Sequence, residues 1–326
     1  FADPFSRIQD IVDGLDSSGG TGSGDVASGS SAVVAGGISC PVFGNDGPTV
    51  AINGRTYPRG SAVGLGLSGT VGLQAVVAQG CRPVGSVIPH RVTGTDGNMI
   101  EGLDGRPAVE VLGDIDLSDE EKRTVERFGV MCGLAAPGGV DDVVSDGDYL
   151  IRQIIGFRVP GIMIGSEAKE DQLLKFHVRD PVTALEDLQN MINRARTERS
   201  FRAGEEMGGG SRNNAGTPLA ALQVSCVARG RALFGRPNVD VEHIEGLIGE
   251  QPGDDNAAIG GFFANGEIGP VGIAGVGLTS KATHIHAFTA VACVICDFGA
   301  PPTASSLDQI TGMGASLEGK DDFAWG

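Results

Sequence analysis

The chain has 326 residues, 40% of them hydrophobic and 5% aromatic, which suffices for two domains of ordinary size that each bury a core without disulfide staples. Its formal net charge of -17, from 24 Lys+Arg against 41 Asp+Glu, argues against nucleic acid or anionic lipid as a partner, because both repel an acidic surface. No apolar run approaches the roughly 20 residues that span a bilayer, so no transmembrane segment is expected.

Along the chain, Ile8, Ile11, Val12 and Leu15 recur at helical spacing and predict a short amphipathic helix over 8–15. The Ser, Gly, Thr and Asp of 17–31 predict a flexible loop. Apolar runs bounded by turn residues predict strands at 32–38, 50–54, 62–68, 71–78 and 86–92. Ser118 with Glu121 three residues on forms a capping box, so a helix should run over 119–128 and stop at Gly129. The Gly- and Asp-rich stretch 138–147 that follows reads as a connection between domains. Asp180-Pro181 starts a second helix, with Ala184, Leu185, Leu188, Met191, Ile192 and Ala195 on its apolar side. Residues 203–216 predict a mobile loop, 219–227 a buried strand, and Asp240 the cap of a helix carrying Val241, Ile244, Leu247 and Ile248. Strands are predicted at 259–264, 273–278 and 285–298. Asn53-Gly54 followed by Ala62-Val63-Gly64-Leu65-Gly66-Leu67 is echoed by Asn265-Gly266 followed by Ile273-Ala274-Gly275-Val276-Gly277-Leu278, a sign of duplication. The fold class is therefore α/β, with two related lobes of largely antiparallel β-sheet layered with outer helices.

The chemistry-bearing residues are few. Asn265-Gly266-Glu267 places a carboxylate where a tight turn meets a sheet edge, either solvated or in contact with a ligand. Arg229 and Arg231 flank Gly230, so the backbone can approach a ligand while a guanidinium forks a carboxylate; pairing with the acidic surface is the competing reading. Cys81-Arg82-Pro83 ends a strand in a turn, where Arg82 faces a ligand or lowers the pKa of a Cys81 nucleophile, although a buried structural thiol accounts better for Cys81. The six cysteines read as reduced, buried thiols. Cys293 and Cys296 have CxxC spacing, but on a strand they face opposite ways and lack a second Cys/His pair, so no metal is expected. Gly64-Leu65-Gly66-Leu67-Ser68-Gly69 has a GxGxxG outline that leads into another strand instead of a helix, so no dinucleotide or other cofactor is expected.

Several ordered motifs resemble the FIST domain family. Gln79-Gly80-Cys81-Arg82-Pro83-Val84-Gly85, Gly97-Asn98-Met99-Ile100 and Leu103-Asp104-Gly105-Arg106-Pro107-Ala108 resemble its N-terminal half. Phe176-His177-Val178-Arg179-Asp180, the run from Cys226 to Gly235, Gly260-Gly261-Phe262-Phe263-Ala264-Asn265-Gly266-Glu267-Ile268-Gly269-Pro270 and His286-Ala287-Phe288-Thr289-Ala290 resemble its C-terminal half. Ala287 stands where the family pattern has glycine, which puts ligand binding in doubt at that spot. The resemblance implies a FIST N-type domain over 1–128 that starts in mid-domain, a FIST C-type domain over 129–300 and an acidic tail over 301–326. It further implies a non-catalytic sensory or adaptor module, in an intracellular reducing compartment, that binds a small molecule such as an amino acid or a protein partner. Arg229, Arg231, Asn265 and Glu267 would line one side of its site, with Arg82 and His286 on the other. The alternatives are a structural or linker subunit of a larger assembly, in the cytoplasm or plastid stroma, and, last, an enzyme using Cys81.

Overall fold

The computed structural model describes residues 2, 7–18, 33–39, 50–136, 148–205, 216–249, 258–275, 282–298 and 312–315. The loops expected over 17–31 and 203–216, the connection 138–147 and the tail 301–326 lie wholly or largely outside these residues. Helix α1 (Ile8–Ser18) and the short strands β1 (Gly36–Gly37), β2 (Val50–Ile52), β3 (Arg55–Tyr57) and β4 (Ala62–Leu65) lead to β5 (Val71–Ala78). Next come β6 (Cys81–Val84), β7 (His90–Asp96), β8 (Met99–Leu103), β9 (Arg106–Pro107), α2 (Ala108–Gly113), α3 (Asp119–Phe128), β10 (Met131–Ala135), β11 (Tyr149–Arg158), β12 (Gly161–Ile164) and β13 (Leu173–Arg179). The remainder is α4 (Pro181–Glu205), β14 (Thr217–Cys226), α5 (Arg231–Phe234), α6 (Val239–Ile244), β15 (Ala258–Ala264), β16 (Glu267–Pro270), β17 (Ile273–Gly275), β18 (Thr283–His286), β19 (Ala290–Asp297) and β20 (Gly312–Ala315).

The antiparallel pairings of β6 to β13 close on themselves. Strand β10 pairs with β11 on one side and β13 on the other, while β11 continues through β12, β8 and β7 back to β13. A ring of this kind hides the sheet edges that would otherwise recruit foreign strands. Alternation along β13 sends Leu174, Phe176 and Val178 into a cluster with Val92, Ile100, Leu103, Cys132, Leu134, Ile162 and Ile164. Each such fully buried aliphatic or aromatic side chain contributes about 1.5–3 kcal/mol of transfer free energy.

A second sheet has the order β15-β14-β19-β5-β17, antiparallel except for the β14–β15 pair. Adjacent residues of β5 serve opposite faces: Val76 joins Leu188, Met191, Ile192 and Ala195 of α4, and Val77 joins Val224, Val291 and Cys293 on the other side. A small third sheet, β1-β16-β18, is backed by Val12 of α1 with Ile38 and Ile268.

The architecture is the expected mixture of antiparallel sheet and helices, with local corrections. The strand expected over 86–92 begins only at His90, because Gly85 turns the chain at φ 77 and leaves Val87 and Ile88 86% and 76% exposed. The long strand expected over 285–298 is two, β18 and β19, separated by a turn in which Phe288 adopts φ 64. Asp240 does not cap its helix; Asn238 holds that position in the left-handed region, and Asp240 sits buried one residue inside α6. Cys293 and Cys296 lie in clusters on opposite faces of the second sheet. All five described cysteines are free and buried.

Helix α3 forms as its sequence specifies. Ser118 Oγ accepts from the Glu121 amide at 3.2 Å, Glu121 Oε2 accepts from the Ser118 amide at 2.8 Å, and Gly129 ends the helix at φ 76. With no fully buried side chain of its own, α3 is held by this cap, by Val125 packed partly buried against the first core cluster and by the Arg82–Glu121 ion pair at 2.9 Å. Ser118→Ala is expected to lower stability by about 1 kcal/mol, read as a lower urea midpoint with an unchanged slope. A midpoint equal to that of the unaltered chain would show that the box contributes nothing.

Candidate functional site

The ends of β5, β13, β14, β16 and β19 converge where the ring meets the second sheet. The backbone passes from one to the other at Gln79-Gly80. A Cβ on Gly80 would stand 2.2 Å from the Phe288 carbonyl oxygen, so only glycine lets the crossover lie against the turn between β18 and β19. Short backbone bonds stitch the ends together: Cys226 N–H to Thr289 O at 3.0 Å and Val227 N–H to Ala264 O at 2.8 Å. The Gln79 amide donates to Asp187 Oδ2 at 2.6 Å, and the Gln79 side chain donates to the Tyr149 carbonyl at 2.7 Å.

Glu267 opens β16 and is fully buried, 0% exposed. Its Oε2 accepts from Thr289 N–H at 3.2 Å and from Thr289 Oγ at 2.7 Å. Its Oε1 is buried and has no hydrogen-bond partner among the described residues. Burial pushes the carboxyl up to about 7, with the Thr289 bonds, the Arg229 charge and the nearby Gly266 amide pulling the other way. The Cys226 thiol is pushed up to about 11, by burial first and by the charge of Glu267 second.

Three of the sequence candidates are occupied elsewhere. Arg229 is buried and forks Asp240, with Nε to Oδ2 at 2.9 Å and Nη2 to Oδ1 at 2.7 Å, beneath the Phe234 ring. Arg82 is spanned by Glu121 and Asp180, each at 2.9 Å. His286 lies opposite Glu267 in the β16–β18 ladder, and its Nε2 donates to the Gly269 carbonyl at 3.0 Å; burial lowers its pKa to about 4, so it is neutral. Arg231 and Asn265 are exposed. Asn265 anchors its turn by donating its amide to the Ile38 carbonyl at 2.8 Å.

Cys81 is the reverse of the activated thiol that its neighbour Arg82 suggested. Its Sγ packs 3.7 Å from Met131 Sδ, and burial pushes its pKa up to about 12. A thiol held protonated in this way is a poor nucleophile.

Sequence reasoning passed over Arg179 and Thr289 as site residues. Arg179 leaves β13 toward the junction, where its guanidinium stands 4.8 Å from the Phe128 ring centre and 5.5 Å from that of Phe288, and Nη2 donates to the Ala228 carbonyl. Burial lowers its pKa. The only available signal was the alternation of His177 and Arg179 on an apolar strand, which shows a charge near a strand end without showing what it meets.

The FIST N domain matches residues 1–106 and the FIST C domain matches residues 108–270. An uncharacterized protein of Mycobacterium tuberculosis is 34% identical over 258 residues, covering 77% of this chain and 58% of the relative. An uncharacterized protein of Mycobacterium bovis is 35% identical over 244 residues, covering 72% of this chain and 53% of the relative. The chain thus spans little more than half the length of the curated relatives it matches. No solved structure matches it.

The raised pKa of Glu267 has a stability consequence with a definite sign. Below the ordinary value of 4.5 the carboxyl is protonated in both folded and unfolded chains. From there to about 7 the unfolded chain gives up its proton while the folded chain keeps it, so stability falls as pH rises through this window and levels off above it. The loss amounts to about 3 kcal/mol at most. Glu267→Gln, which cannot ionise, is expected to flatten the stability profile between pH 5 and pH 8 in urea unfolding. An unchanged slope would place the ionisation of Glu267 elsewhere.

Proposed function

The chain belongs to the FIST family, whose domains are sensory modules, and we propose that it is a non-catalytic sensor whose small-ligand site centres on the buried carboxylate of Glu267. The observation that carries this reading is the buried Oε1 of Glu267, which has no hydrogen-bond partner among the described residues. A buried carboxylate oxygen costs about 1–3 kcal/mol when left unsatisfied, a cost that a ligand N–H or ammonium group removes. Such a cation also favours the ionised carboxylate and draws its pKa down from 7.

In this reading an amino acid presents its ammonium group to Glu267 and its carboxylate toward the exposed Arg231 and Asn265 side. Arg229 acts on Glu267 by charge while held to Asp240, and His286 lies opposite it in the β16–β18 ladder. The turn 287–289 holds the carboxylate through Thr289. Phe288 in the left-handed region is strained for a bulky side chain, which makes this turn the element that moves on entry. A reducing cytoplasm suits the free, buried thiols, and mycobacterial relatives lend no support to a plastid. No described helix is long and apolar enough to cross a membrane.

A second reading, a subunit of a larger assembly, draws on the β11–β12 hairpin, where Ile155, Phe157 and Val159 are 56%, 65% and 85% exposed. A chain that stays monomeric across concentrations in light scattering counts against it. For the first reading, isothermal titration with the free amino acids is expected to give heat with at least one of them at pH 7. That heat should disappear in Glu267→Gln, and binding at pH 6 should release a proton to the buffer. Titrations without heat for any amino acid would end this reading.

A further inference from the structure

The chain carries 41 acidic side chains, yet two guanidinium groups at the rim of the strand-end junction have no acidic partner among the described residues. Arg179 stands 4.8 Å from the centre of the Phe128 ring, and Arg127 stands 4.6 Å from the same ring. Glu121 and Asp180 are engaged by Arg82, and Asp240 by Arg229. The C-terminal dipole of α3 favours Arg127, which lies in the last turn of that helix. Arg179, at the end of a strand, has no such compensation.

Arg179 is also built to hold one orientation. Aromatic rings lie over it at 4.8 and 5.5 Å, and Nη2 is tied to the Ala228 carbonyl. Its Nε and Nη1 donors have no acceptor among the hydrogen bonds of the described residues. A guanidinium fixed by aromatic faces, with part of its donor fork unused, loses little entropy when it forks an oxyanion. Two like charges on one ring repel each other unless an anion lies between them.

We propose that Arg179 and Arg127, grouped around the Phe128 ring, form a receptor for a small dianionic ligand, a phosphate monoester or inorganic phosphate. The class follows from the charge count. One carboxylate brings a single negative charge, whereas a phosphate brings close to two, matching the two guanidinium groups. This receptor shares the Phe288 turn with the Glu267 site but takes its ligand through Arg179 and Arg127, not through the carboxylate.

The test is a thermal-melting titration with inorganic phosphate against sodium chloride at matched ionic strength, with isothermal titration for affinity. Phosphate is expected to raise the melting temperature of the unaltered chain progressively, beyond any effect of chloride. Arg179→Met keeps the side-chain stem and should abolish the phosphate-specific rise, and Arg127→Met should weaken affinity by about tenfold, the loss of one modest charged contact. Glu267→Gln should respond to phosphate like the unaltered chain, so that failure of the amino-acid reading and failure of this one are distinguishable. Because Arg127 is exposed, Arg127→Met remains informative if Arg179→Met does not fold. No phosphate-specific rise in the unaltered chain, or an undiminished rise in either arginine variant, overturns the proposal.

Discussion

The buried pair Arg229–Asp240 is the interaction on which the junction depends. Arg229 is 2% exposed and Asp240 is 4% exposed, so both charges have left water and each relies on the other. The fork is complete, and the remaining capacity of Asp240 Oδ2 is taken by Ser225 Oγ at 2.9 Å, itself supported by Gln223 Nε2 at 2.7 Å. Arg229 Nη1 lies 3.5 Å from the Gln79 carbonyl, a long contact with the crossover between the two sheets. One guanidinium thereby joins the turn after β14, helix α6 and the strand that enters the ring. Loss of one partner of such a pair costs about 3–5 kcal/mol, because the other remains buried and uncompensated.

That pair also decides what the neighbouring groups can do. Burial pushes the Glu267 carboxyl up to about 7, and the Arg229 charge, committed to Asp240, offsets only part of that shift. The same commitment leaves the rim to Arg179, for which the nearest thiols, Cys81 and Cys226, stay protonated through burial and supply no countercharge. A wall of fixed charge, an unsatisfied acid and an uncompensated guanidinium follow from how one salt bridge divides the available partners.

Much of this was legible in the sequence, and the omissions have physical reasons. The capping box of α3, the apolar side of α4 and the runs of β5 and β15 are local signals, and each appears as read. The Asn265-Gly266 turn leading to Glu267 was legible because Gly266 needs φ 124 there. Asp240 misled because a short polar residue before an apolar run looks the same whether it caps a helix or neutralises an arginine eleven residues earlier. Strands β11 and β12 went unread since ring closure pairs β10 with strands on either side of it in sequence, and no local periodicity encodes that. Arg229, Arg82 and His286 were recognised as polar groups of one region, but a sequence does not state which of them spend their charge on a neighbour.

The distribution of partners bears on how such a domain senses. A site in which every buried polar atom is satisfied gains nothing from a ligand beyond area, whereas here Glu267 Oε1 has no partner among the described residues and lies beside a turn held in a strained conformation. Binding that supplies a donor relieves the acid, and the Thr289 amide and hydroxyl that hold Oε2 belong to the same turn, 287–289. A change in the charge or position of Glu267 is therefore felt by Thr289, whose carbonyl accepts from the Cys226 amide at the end of β14. From Cys226 the chain runs through the turn to Arg229 and its buried pair with α6. The path from acid to helix is thus a chain of hydrogen bonds and one ion pair within a packed interior, the kind of contiguous network in which a small shift at one end biases the other.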